Sequence, residues 1–344
     1  MTTLLPRLRR RPLAAALILG LVALALQFSS AASARSASPS CADPVTAAPT
    51  GPATVSTAST TAFGKVLVVG SGAYAGCSLY LLTSDQLHTL TGAHYACSNT
   101  LNAVPGSPAC DTILWPALLT DGAPIAGSGV NPKLLGTVTR TDLPGLPPVQ
   151  QVTYAGQPLY RFIFDDIPGD TQGANLFDPV TSPTGIWYLV EPNRGNPAPG
   201  TATLQLETVG PKTVLAATMN AGLTDLNFAN QPFPVYTLRP GHSPGAVLGA
   251  LGPGGPCQAL CNQYWPPVLT SGRPTAGTGV DQHALGTMMR PDGTQQVTYR
   301  GRPLYLFADD AYLPPFPFIG GPAAINGAGA DTLWGVFDTI PPSS

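Results

Sequence analysis

From about residue 62 onward, apolar positions come in short runs of four to seven, separated by glycine and proline. This spacing predicts strands rather than helices. The expected strands are Lys65 to Val69, Ser78 to Leu82, Leu135 to Arg140, Ile186 to Val190, Ala284 to Met289 and Leu333 to Phe337. Val152-Thr153-Tyr154, a loop at Ala155 to Pro158, and Leu159 to Phe164 form a predicted β-hairpin. Along its return strand Tyr160, Phe162 and Phe164 share one face, and Leu159, Arg161 and Ile163 share the other. Short helices are expected near Ser84 to Leu90 and Gln258 to Tyr264.

The pattern occurs twice. Trp115-Pro116 through Thr120 matches Trp265-Pro266 through Thr270, 150 positions later. Gln150-Gln151-Val152-Thr153-Tyr154 matches Gln295 to Tyr299, 145 positions later, because the first copy carries a longer proline-rich loop near Leu143 to Pro148. Each copy divides again. Tyr80, Tyr160 and Tyr305 are followed five positions later by Asp85, Asp165 and Asp310, while Tyr236 is followed there by Gly241. One tryptophan follows each tyrosine: Trp115, Trp187, Trp265 and Trp334. The expected fold is therefore mostly β, as two tandem similar antiparallel domains over 62–200 and 201–344, each of two related units. The stretch Thr208 to Gln231 joins the copies, with a first strand of copy two around Val214 to Leu226.

Tyr160-Arg161-Phe162-Ile163-Phe164-Asp165 and Tyr305-Leu306-Phe307-Ala308-Asp309-Asp310, with Cys261 through Trp265-Pro266-Pro267-Val268-Leu269, resemble the secreted repeat of unknown function of bacterial lipoproteins and its Tyr-x-aromatic-x-x-Asp motif. The resemblance implies an envelope location and a repeat architecture, and brings no activity. Trp-Pro-Ala in copy one and Gly241 in copy two depart from the motif.

The start of the chain has the form of a secretory signal. Arg7, Arg9, Arg10 and Arg11 precede an apolar run from Leu13 to Phe28, and Ala32-Ser33-Ala34 supplies small residues for cleavage. Residues 1–34 are the expected signal peptide, and 35–61, rich in Ala, Ser, Thr and Pro, the expected flexible spacer. No later stretch is long and apolar enough for a membrane span. Cys41 lies too far past the apolar run for a lipid anchor.

Charged residues make up only 10% of the chain. Without the leader, 12 basic residues face 18 acidic ones, which gives no electrostatic basis for nucleic-acid binding. Six cysteines in an exported chain suggest disulfides. Cys97–Cys110 and Cys257–Cys261 are the natural local pairs, leaving Cys41–Cys77. His242, Cys257, Cys261 and His283 could form a zinc site only without a counterpart in copy one. Asp165, Asp166, Asp170 and Asp178 are the acidic cluster suited to Ca²⁺, against a plain turn with Asx hydrogen bonds, which the sequence favours. No cofactor is predicted. No Gly-x-Ser-x-Gly or His-Glu-x-x-His motif is present, and none of the four histidines recurs between copies. The sequence thus points to a non-catalytic structural or surface-ligand-binding envelope protein. Its rivals are a metal- or cofactor-binding redox accessory and an exported hydrolase acting on glycans.

Overall fold

The computed structural model describes residues 40–87, 95–98, 110–178, 185–218, 232–238, 257, 261–311, 325, 327–332 and 335–341. The expected signal peptide lies outside the described residues, as do His88, His94, His242 and Trp334.

Each copy builds three small sheets, and the sheets of one copy have counterparts in the other. In copy one, Thr54–Thr60 pairs antiparallel with Gly64–Val69 and parallel with Ile125–Ala126. In copy two, Thr203–Val209 pairs antiparallel with Lys212–Thr218 and parallel with Thr275–Ala276. The second sheet centres on Val149–Tyr154, flanked by Leu119–Thr120 and Leu135–Arg140, and recurs as Gln295–Tyr299 beside Leu285–Met289. The third centres on Gly185–Val190, paired with Tyr80–Leu82, and recurs as Gly335–Thr339, paired with Tyr236–Leu238. Among the described residues, the two short parallel pairings are the exceptions to antiparallel pairing.

The predicted hairpin forms, with a tighter turn than expected. Ala155 and Gly156 both have positive φ, as do Arg300 and Gly301. This is the two-residue geometry whose twist matches the flanking strands. Gln157–Pro158 then pairs with Thr153 and Tyr154, the proline falling opposite Thr153 where the ladder needs no N–H, and Leu159 N–H donates to Val152 O at 3.0 Å. Beyond it Leu159 to Ile163 runs alongside Leu114 to Leu118, through Leu118 N–H to Leu159 O and Arg161 N–H to Pro116 O, both 2.9 Å. The single long return strand is thereby handed from one sheet to the next. Tyr160 and Phe162 are buried, whereas Phe164 is 39% exposed.

Three expectations are corrected. The supposed spacer is part of the fold from residue 40: Thr54–Thr60 is a strand, and Cys41 is disulfide-bonded to Cys77. Thr-Val-Ser-Thr has the composition of a linker and the β propensity of a strand, and composition alone does not separate the two. Copy two opens at Thr203, before the strand expected around Val214, and turns at Gly210 into Lys212–Thr218. The copies are also not two separate domains. Residues 39–344 form one compact unit, and its largest core cluster mixes Val55, Leu79 and Val152 of copy one with Leu204, Val268 and Leu304 of copy two. Burying one shared core removes more apolar surface from water than two small cores could.

Candidate functional site

The motif tyrosines and aspartates meet at the centre of copy one, and they meet crosswise. Tyr80 and Tyr160 form an antiparallel bridge, exchanging N–H to O bonds of 2.9 and 3.0 Å. The Tyr80 hydroxyl donates to Asp165 Oδ2 at 2.6 Å, and the Tyr160 hydroxyl to Asp85 Oδ2 at 2.9 Å. Each unit therefore supplies the tyrosine for the other unit's carboxylate. Asp85 stands on a 3₁₀ turn, Thr83–Leu87, and its Oδ1 accepts from Ala96 N–H and Cys97 N–H. Asp165 Oδ1 accepts from Gln172 N–H. Both carboxyls are 1% exposed. Burial pushes Asp85 up to about 6, against the hydrogen bond from Tyr160, and Asp165 up to about 7, against that from Tyr80.

Copy two keeps half of this device. Tyr236 and Tyr305 bridge in the same way, and Tyr236 donates to Asp310 Oδ2 at 2.5 Å. Where copy one has Asp85, copy two has Gly241, which lies outside the described residues. The Tyr305 hydroxyl instead accepts directly from Cys257 N–H at 3.0 Å. Cys257 corresponds to Cys97, whose N–H is bound by Asp85. Loss of the carboxylate is thus met by a direct bond between the two groups it linked.

Between the bridged tyrosines lies a pair of stacked rings. Trp115 and Trp187 are 3.7 Å apart and 9° from parallel. Tyr80 meets Trp115 edge-on at 5.4 Å, and Tyr160 meets Trp187 edge-on at 5.1 Å. In copy two the stack is Trp265 on Phe337, at 3.8 Å and 8°. Phe337 pairs with Leu238 as Trp187 pairs with Leu82, so Phe337, not Trp334, is the counterpart of Trp187. Trp115, Trp187 and Trp265 are all at most 5% exposed, so they fill the core rather than present a face to a sugar.

A buried guanidinium in each copy is the part the sequence reading missed. Arg140, 1% exposed, donates to Asp111 at 2.6 Å, to both oxygens of Asp142, to Gln151 Oε1 and to Cys97 O. Arg290 repeats this with Gln296 Oε1, Cys257 O and Asn262 Oδ1. Burial raises Asp111, while the Arg140 guanidinium lowers Asp142 against that residue's own partial burial. The available signal was the alignment itself: Arg140 and Arg290 fall 150 positions apart at matching strand ends. Copy two replaces Asp111 with neutral Asn262.

The six cysteines form Cys41–Cys77, Cys97–Cys110 and Cys257–Cys261. The acidic cluster does not converge. Asp165 points inward to Tyr80, while Asp170 Oδ2 accepts from the N–H groups of Asp166 and Ile167, four and three residues before it, and so closes the turn on itself. Asp178 ends the Leu176–Asp178 strand. Among the described residues, no group of three or more His, Cys, Asp or Glu side chains is placed to hold a metal ion. His283 is exposed, next to the Asp281 cap of a 3₁₀ turn.

The comparisons bear on the second copy. Residues 286–315 match the model of a family described as a secreted repeat of unknown function. That secreted-repeat match spans the Leu285–Met289 strand from its second residue, the hairpin, and Tyr305 through Asp310. No curated protein and no solved structure matches the chain. No helix among the described residues is long and apolar enough to cross a membrane.

Proposed function

We propose that this chain is an exported, non-catalytic repeat protein of the bacterial envelope, in which the Tyr and Asp motif holds the fold together and the surface engages an envelope component. The observation that carries this reading is the crosswise pairing of Tyr80 with Asp165 and Tyr160 with Asp85. All four groups are at most 1% exposed, and their polar atoms are taken up by one another and by backbone N–H groups. A catalytic carboxylate needs access to substrate and a free oxygen; these have neither. The secreted-repeat match and the three disulfides support a location outside the cytosol.

The test has two arms. A tagged full chain is fractionated with and without residues 1–34, and export should depend on them. Asp165→Asn and Asp85→Asn are assayed on a polysaccharide panel beside the wild type. Stability should change with no turnover in any sample. Turnover by the wild type, lost in Asp165→Asn at unchanged melting temperature, would replace this reading with a hydrolase.

A further inference from the structure

Copy one holds four aromatic rings in a continuous row, Tyr80, Trp115, Trp187 and Tyr160, with a carboxylate hydrogen-bonded to the phenol at each end. Every ring in the row is one that gives up an electron readily, and each terminal phenol has a base in contact. Copy two interrupts the same row. Phe337 replaces the second indole, and Tyr305 has a backbone N–H where Tyr160 has Asp85. Phenylalanine is far harder to oxidise than tryptophan, so copy two keeps the Tyr236–Trp265 half of the row, with Asp310 on its phenol, and the full two-indole row stands in copy one.

We infer that the Tyr80–Trp115–Trp187–Tyr160 row is a proton-coupled relay that takes up single oxidising equivalents from outside the protein and holds them reversibly on tyrosine. Trp115, 5% exposed, is the member nearest solvent; the other three are 0% exposed. A one-electron oxidant removes an electron from the stacked indoles. Tyr80 returns that electron to the stack while its phenolic proton crosses the 2.6 Å hydrogen bond to Asp165. The products are a neutral tyrosyl radical and a protonated carboxyl, with the indoles restored. An external one-electron reductant then supplies one electron, and the proton goes back to the phenolate oxygen. Tyr160 and Asp85 perform the same step at the other end. Burial makes Asp165 a stronger base than an ordinary carboxylate, which favours the transfer once it is ionised. Because all partners are fixed before oxidation, little reorganisation accompanies the step. The relay rests on the extracytoplasmic location proposed above, an oxidising setting that supplies one-electron oxidants.

The experiment is flash oxidation of the full, disulfide-intact chain by photogenerated tris(bipyridine)ruthenium(III). Indole radical decay and tyrosyl radical growth are followed optically and by electron paramagnetic resonance. The wild type should pass the radical from indole to tyrosine, more slowly in D₂O, and more efficiently as pH rises through about 7. The double variant Asp85→Asn with Asp165→Asn should slow the transfer by about a hundredfold, the lower end of what a positioned proton acceptor contributes. Trp187→Phe, which copies the arrangement at Phe337, should lower the tyrosyl yield. Phe337→Trp should raise it by completing a two-indole stack beside Tyr236 and Asp310 in copy two. The near-ultraviolet circular dichroism of each variant reports whether its core is intact, and the Phe337→Trp gain does not depend on a loss. Transfer unaffected by the Asp pair in a folded variant, or radical found only on exposed tyrosines such as Tyr264, would overturn the relay.

Discussion

Tyr80 and Tyr160, eighty positions apart, share two backbone hydrogen bonds and exchange carboxylate partners. The motif is therefore read across two units: a tyrosine five residues before an aspartate does not bind that aspartate. Removing either hydroxyl leaves a buried carboxyl short of a donor, which costs on the order of 1–3 kcal/mol. Tyr80→Phe and Asp165→Asn should each destabilise the protein. In a double-mutant cycle their effects should fall well short of additive, whereas Tyr80→Phe with Asp85→Asn should be closer to additive. Urea denaturation of the single and double variants measures both.

Stability should fall as pH rises from about 4 to about 7. Burial lifts Asp85 to about 6 and Asp165 to about 7 in the folded chain, above the ordinary carboxylate range. The folded state then binds more protons than the unfolded one across this interval. Their contribution is complete below the unfolded pKa and is lost as pH passes through the folded values. Asp142, lowered by Arg140, works the other way and flattens the slope. Urea midpoints at pH 4.5 and 7.5 should favour the lower pH, and Asp165→Asn should reduce the difference. A midpoint that rises toward neutral pH contradicts the assignment.

Arg140→Met should be more damaging than Arg290→Met. The first leaves Asp111 and Asp142 without their guanidinium, and breaking a buried ion pair typically costs about 3–5 kcal/mol. The second leaves the neutral Asn262 and an Asp292 that is half exposed. Thermal melts of the two variants rank them directly.

Gly173→Ala and Gly327→Ala should each destabilise by about 1–3 kcal/mol, the usual cost of overpacking a core. A Cβ at Gly173 would lie 2.7 Å from the ring of Trp115, and one at Gly327 would lie 2.8 Å from that of Trp265. Both glycines let the backbone approach the outer ring of an indole closely. Equal losses from the pair would support the equivalence of the two copies at the level of packing.

Much of the fold is legible in local pattern. The Leu135–Arg140 strand stands where its alternation places it, and Ala155-Gly156 turns where a hairpin needs positive φ. The secreted-repeat resemblance of Tyr305 through Asp310 is matched by the family model. What was not legible depends on distance in space. Arg140 looks like an ordinary strand end until Asp111, Gln151 and Cys97 close around it from three other segments. Trp334 takes the place expected for the fourth ring in the sequence, yet register sets Phe337 against Trp265. Thr54–Thr60 reads as linker because its stabilising partner, Gly64–Val69, and its parallel neighbour at Ile125 are invisible in composition.

The fastening of residues 40–45 has a mechanical corollary. Arg161 grips Cys41 O at 2.6 Å and Asp43 O at 2.8 Å, and its guanidinium lies 3.8 Å above the Tyr74 ring. Cys41 is welded to Cys77, so the Thr54–Thr60 and Gly64–Val69 hairpin lies wholly inside a covalent loop. Tension applied through the chain upstream of Cys41 passes across the sulfur bridge to the segment entering Tyr80, and bypasses that hairpin. A tether pulling from this end would load the segment entering Tyr80 and leave the first two strands unpeeled.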